Sequence, residues 1–132
     1  QIGFQYDLYT WEQHLIQGRL VLIPKEQQSK PGNYASMPLA MHLQGGKRYH
    51  LFMRFKIQTE SQWLNLHIKE AGSKRLQIIH RHKVQPNDAK EWVTISKDFV
   101  PNNDIYSEFM VGAMQIAGEG RFLAIDYIYI TD

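Results

Sequence analysis

The chain contains no cysteine, so neither a disulfide framework nor a zinc–thiolate site can hold it together. A reducing compartment and an exported protein that does without bridges are both compatible with that. Also missing is any apolar run near the roughly 20 residues that a membrane-spanning helix needs, so no membrane span is expected. Charge of one sign is scarce: 15 Lys and Arg face 13 Asp and Glu, a formal net charge of +2. That balance gives no reason to expect nucleic acid as a partner. Arg54, Arg75 and Arg81 with Phe52 imitate a basic aromatic sheet, but no RNP-like or OB-fold pattern accompanies them. Catalytic motifs are lacking as well: there is no Gly-x-Ser-x-Gly elbow, phosphate loop or His-Glu-x-x-His helix, and no thiol nucleophile. Glu60, Glu70, Glu91 and Glu108 are carboxylates without an assigned place, but 132 residues is small for a glycosidase cleft. The chain is expected not to be an enzyme in itself, while remaining compatible with a module appended to one.

What is present is alternation. With 43% hydrophobic and 21% charged residues the composition is that of a globular domain, and residues 1–132 read as one domain with one core. Tyr49, Leu51, Met53, Phe55 and Ile57 share one parity while His50, Phe52, Arg54 and Lys56 share the other, the pattern of a strand with one face in a core. Leu64, Leu66 and Ile68 alternate with Trp63, Asn65, His67 and Lys69 in the same way. Further strands are expected at Arg19–Ile23, Arg75–Val84, Trp92–Ile95, Phe99–Val100, Phe109–Ile116 and Phe122–Ile130, giving about eight to ten, with turns at Ala71–Ser73, Pro86–Asp88, Pro101–Asp104 and Gly118–Gly120. The segment Tyr9–Gln17 suits a helical turn or two, and Pro24–Met37 suits an exposed loop. Uneven spacing with one long insert favours an all-β, two-sheet antiparallel sandwich of jelly-roll type over an up-and-down barrel.

Asp126 stands alone inside the apolar run from Phe122 to Ile130. A carboxylate buried there needs a partner, such as a cation, a backbone amide or a tyrosine hydroxyl.

The order of segments resembles the jelly-roll carbohydrate-binding modules attached to xylanases and related glycan-acting enzymes. Three pieces carry the likeness: Gln44-Gly45-Gly46-Lys47-Arg48-Tyr49-His50-Leu51; Glu91-Trp92-Val93-Thr94-Ile95 with Phe99; and Phe122-Leu123-Ala124-Ile125-Asp126-Tyr127-Ile128. The resemblance implies non-catalytic binding of an oligosaccharide or polysaccharide, which would tether a larger protein, with other domains of the same polypeptide as further partners, to a polysaccharide or a bacterial cell surface. An extracellular or cell-surface location goes with it. It also implies a structural calcium, for which Asp126 is the candidate ligand, together with backbone carbonyls and an N-terminal acid such as Asp7 or Glu12. The family's Asn-Gly-x-Phe-Glu opening, whose Glu is one ligand of that cation, has no counterpart here.

Sugar-binding sites of this kind combine aromatic rings, which stack on pyranose faces, with planar polar groups that take hydroxyls. If the two strands carrying His50 and Trp63 lie in one sheet, His50, Arg54 and Lys56 share a face with Trp63, Asn65, His67 and Lys69, extended by Arg75, Gln77, Arg81 and Lys83 unless a bulge inverts the parity. Such a face is basic and would suit an anionic glycan; the alternative is an ordinary solvated sheet face. Trp11 and Tyr34, in segments read as loops, are further candidates for ligand contact. Trp92 is expected in the core against Phe99 and Phe122. The histidines of His80-Arg81-His82 are expected not to bind metal, because neighbouring arginines and lysines oppose a divalent ion. A protein-interaction β-sandwich, an accessory module of a secretion or glycosylation apparatus, is the alternative function.

Overall fold

The structure, a computed structural model, describes residues 11–16, 19–24, 35–38, 42–69, 76–104, 108–112 and 121–132. Nine strands lie among them: β1 (Trp11–Ile16), β2 (Arg19–Pro24), β3 (Ala35–Pro38), β4 (Tyr49–Gln58), β5 (Trp63–Lys69), β6 (Leu76–Lys83), β7 (Val93–Phe99), β8 (Glu108–Gly112) and β9 (Phe122–Thr131). A short 3-10 turn spans Pro86–Ala89. The strands form a five-stranded sheet in the order β1-β2-β9-β4-β7 and a four-stranded sheet in the order β3-β8-β5-β6. Every pairing is antiparallel. This is the expected jelly-roll sandwich.

Alternation in the sequence becomes the core. Tyr49, Leu51, Met53, Phe55 and Ile57 of β4 are buried, and they meet Leu64, Leu66 and Ile68 of β5, Ile95 and Phe99 of β7, and Leu123, Ile125 and Ile130 of β9. Each such side chain contributes about 1.5 to 3 kcal/mol when fully buried. Two β-bulges break the alternation. Between β4 and β9 the register steps from Arg54↔Tyr127 to Phe55↔Ile125, leaving Asp126 as the extra residue; between β5 and β6 it steps from Leu66↔His80 to His67↔Ile78, leaving Ile79. A bulge flips the parity of everything beyond it.

Several expectations change. Trp11–Ile16 is a strand, not a helical turn, and it pairs residue by residue with β2 from Trp11↔Pro24 to Ile16↔Arg19. A helix of two turns is marginal by itself, whereas a hairpin joined to a sheet satisfies its backbone groups. The insert expected as a loop ends in a strand, β3, which pairs with β8; its residues 25–34 lie outside the described residues. The two short segments expected at Trp92–Ile95 and Phe99–Val100 merge into one strand, β7, which leaves out Trp92 and Val100. The Ala71–Ser73 and Gly118–Gly120 turns lie outside the described residues.

The Gly45–Gly46 turn before β4 is tied to the Pro101–Asp104 segment. The amide of Gly46 donates to the Pro101 carbonyl at 2.8 Å and that of Gly45 to Asp104 Oδ1 at 2.7 Å. Gly46 has φ of 81°, a conformation that favours glycine.

Candidate functional site

The expected constellation does not assemble. β4 belongs to the five-stranded sheet and β5 to the four-stranded one, because the short link between Gln58 and Trp63 carries the chain across the sandwich instead of turning back as a hairpin. His50, Arg54 and Lys56 therefore lie on one outer face, and Trp63, Asn65, His67 and Lys69 on the opposite one.

On the outer face of the four-stranded sheet, Trp63 is 36% exposed, but its ring is covered by the Arg81 guanidinium at 4.4 Å. The same Arg81 donates from Nε to Asn65 Oδ1 at 3.1 Å. The stacking surface and the planar amide predicted to meet a ligand are thus both engaged with one arginine. His67 is buried, and burial pushes its imidazole below the ordinary value. The bulge at Ile79 inverts the parity assigned to Gln77, whose side chain holds the Val100 carbonyl at 2.8 Å and the Asn102 amide at 2.7 Å. Arg75 lies outside the described residues.

The outer face of the five-stranded sheet is built differently. Its central strand β9 and the adjacent inner strand β4 bring Phe52 opposite Tyr129 and Arg54 opposite Tyr127. Phe52 and Tyr129 stack at 4.9 Å between ring centroids, Tyr127 lies 5.6 Å from Tyr129, and the His50 ring lies 4.4 Å from Phe52. All four are partly exposed. They form a continuous aromatic row.

Polar groups border the row on both sides. His50 sits between Asp98, paired through Nδ1, and Ser96, whose Oγ is 2.6 Å from Nε2. Arg54 donates from Nη1 to Asp126 Oδ2 at 3.1 Å. Trp92, expected in the core, is partly exposed beside this face, with the Arg54 guanidinium 5.2 Å and the Lys56 ammonium 4.9 Å from its ring. The reason is positional: Trp92 precedes β7, so the alternation of that strand does not govern it.

Asp126, the acid whose partner the sequence left open, is held by Arg54 through the bulge that turns it toward the same outer face. Among the described residues no group of three or more His, Asp or Glu is placed to hold a metal ion. Asp7 lies outside those residues, and for Glu12 only the strand position is described. His82, one of the paired histidines, faces Asp88 at 2.7 Å. Trp11 opens a strand rather than sitting in a loop, and Tyr34 lies outside the described residues.

Phe52, Trp92, Tyr127, Tyr129 and Asp98, which build this face, were not among the expected site residues. Two signals were readable: Phe52 shares the parity of His50 and Arg54, and the aliphatic positions of β9 shift from odd numbers (Leu123, Ile125) to even ones (Ile128, Ile130) across Asp126. That shift marks a bulge and puts both tyrosines outside.

No family model matches the chain, and no curated protein matches it in sequence. Solved structures do match in fold. A family 29 carbohydrate-binding module superposes with a TM-score of 0.57 at 14% identity over 97% of this chain and 79% of that one. The CBM22-1 and GH10 modules of an endo-1,4-beta-D-xylanase from Clostridium thermocellum, solved with xylohexaose, give 0.65 at 16% identity over 99% of this chain and 28% of that one. A family 4 carbohydrate-binding module gives 0.59 at 10% identity over 94% and 95%. This chain has the fold of carbohydrate-binding modules. The resemblance drawn from three sequence pieces therefore holds at the level of architecture.

Proposed function

We propose that the domain binds glycan without transforming it, through the outer face of its five-stranded sheet, and that it tethers a larger polypeptide to a polysaccharide or cell surface outside the cell. The observation that carries this is the row formed by His50, Phe52, Tyr129 and Tyr127 on β4 and β9, bordered by the His50–Asp98 and Arg54–Asp126 pairs. Rings along a strand pair offer stacking to successive sugars, and the flanking polar groups offer donors and acceptors to their hydroxyls. The modules of like fold, a family 29 module complexed with cellulohexaose among them, support it.

The charge preference changes with the geometry. Cations expected to crowd one face are divided between two, and on the five-stranded sheet His50 and Arg54 face Asp98 and Asp126. A neutral glycan is the better match for this face.

Titration calorimetry against xylan and cellulose oligosaccharides at low and high salt tests both points. Tyr129→Ala is expected to weaken binding about tenfold, from lost stacking of about 1 to 1.5 kcal/mol, and Trp63→Ala to leave it unchanged. Affinity at the aromatic row should barely fall as salt rises, since screening acts on exposed charge pairs. Loss with Trp63→Ala and none with Tyr129→Ala would move the site to the other sheet.

Calcium is tested separately. An ion at Asp126 would sit beside the Arg54 guanidinium and would need ligands from residues such as Asp7. A melting temperature lowered by chelator and restored by calcium is the outcome expected of a bound ion; superimposable curves leave Asp126 to Arg54.

One observation favours the protein-interaction reading. Leu76 and Ile78 of β6 are 45% and 52% exposed opposite Lys69 and His67 on the four-stranded sheet, an apolar surface that a neighbouring domain could cover. Co-purification with a folded protein, without any glycan binding, would support that function instead.

A further inference from the structure

A second concavity lies at one end of the sandwich, away from the aromatic row's His50 end. It is an open cleft of about 590 Å³ between the link from β4 to β5 and the segment that leads from β6 through the 3-10 turn, within the range of small-ligand sites. Ile57 and Val84 supply an apolar floor, and Gln58, Gln62 and Gln85 supply three carboxamides around it.

Both walls are braced. The Val84 amide donates to the Gln62 carbonyl at 2.8 Å, joining one wall to the other. The Asp88 carboxylate accepts from the Gln85 amide at 2.8 Å and pairs with His82 Nε2 at 2.7 Å, fixing the second wall to β6. A cleft held in this way loses little freedom when a ligand enters.

Its charges are unequal. Glu60 is paired with Arg121 at 2.6 Å, whereas Lys90 makes no ion pair among the described residues. What remains is one ammonium, three planar donor–acceptor amides and an apolar floor. A pyranose ring with hydroxyls on its edge, C–H groups on its face and one carboxylate complements that set group by group.

We infer that this cleft is a second glycan site, separate from the sheet face, which takes a single uronic acid residue with its carboxylate at Lys90 and its hydroxyls at Gln58, Gln62 and Gln85. It goes beyond the sheet-face reading and uses none of its residues. It also gives the anionic glycan expected from the sequence a place where the cation is not already matched.

The experiment is an NMR titration of the full chain, recording backbone amide shifts, with methyl glucuronide and methyl glucoside as probes. The glucuronide should move the amides of residues 58–62 and 84–90 saturably and bind about threefold more tightly than the glucoside, as an exposed ion pair allows. Lys90→Met should bring the glucuronide down to the glucoside's affinity, and Gln62→Ala should weaken the response of residues 58–62 and 84–90 to both probes. Absence of saturable shifts in the two segments, or a glucuronide preference that survives Lys90→Met, overturns the inference. Shifts at Phe52 and Tyr129 report the sheet face in the same spectra, so failure of the cleft and failure of the face appear on different residues.

Discussion

Single residues decide how β4 enters its sheet. A Cβ on Gly45 would meet the backbone of Asn103 at 2.9 Å, and backbone cannot swing aside as a side-chain tip does. At Gly46 the space is open, but φ of 81° strains any L residue. Gly45→Ala is therefore expected to cost about 1 to 3 kcal/mol by overpacking, and Gly46→Ala about 1 to 2 kcal/mol by backbone strain. Urea unfolding of each variant checks the two values. Only Gly45→Ala should also disturb the Asp104 contact, visible as a shift of the Gly45 amide. The Gly-Gly-Lys piece was legible in the sequence as a turn before a strand. Its docking on Pro101–Asp104 was not, because nothing local in either segment names the other.

At the level of strands, the bulge in β9 is what brings Asp126 and Arg54 together, and their pairing can be tested as a unit. Arg54→Ala leaves a carboxylate with 9% side-chain exposure without its guanidinium. Since Arg54 itself is 26% exposed, the expected cost is about 2 kcal/mol, below the 3 to 5 kcal/mol of a fully buried pair. Asp126→Asn added to Arg54→Ala should recover part of it, as a double-mutant cycle by denaturant unfolding would read. In the other sheet the pair β5–β6 carries a pH dependence. Burial holds His67 below its ordinary value of 6.5, and His80 is lowered by burial first and then by His82 and Lys97. Below pH 6.5 the unfolded chain takes up protons at these positions that the folded chain resists. Their contribution is thus complete above 6.5 and lost as pH falls through the lowered values. The urea midpoint should drop between pH 7.5 and 5, less so in His67→Gln combined with His80→Gln. Strands were largely legible, since β4 and β5 each show two chemically distinct faces. Which sheet a strand joins was not: Tyr49–Gln58 and Trp63–Lys69 have hairpin spacing, and parity says which residues share a face of one strand, not whether two strands share a sheet. The residues expected on one face are divided between two for that reason, while Phe52 and the shifted aliphatics of β9 were signals present and unread.

For the whole molecule, the sandwich offers two outer faces of unlike chemistry. One carries an aromatic row with its polar groups paired; the other carries Trp63 under Arg81 at one end and exposed Leu76 and Ile78 toward the other. A ligand on the first leaves the second open to a neighbouring domain, so glycan and protein partners need not compete. Saturating the domain with oligosaccharide should leave any protein contact through β6 intact, which a pull-down with and without sugar would show. The placement of β9 bears on how such a chain is made. It is inserted between β2 and β4, strands that leave the ribosome far earlier. Until residues 122–131 emerge, β2 and β4 each present an unpaired edge toward the other, and the central row of the larger sheet has only its β4 half. The five-stranded sheet therefore cannot close before its last strand is made, and any β1–β2 hairpin or β4–β7 pair formed earlier would carry an edge open to strand pairing with other chains.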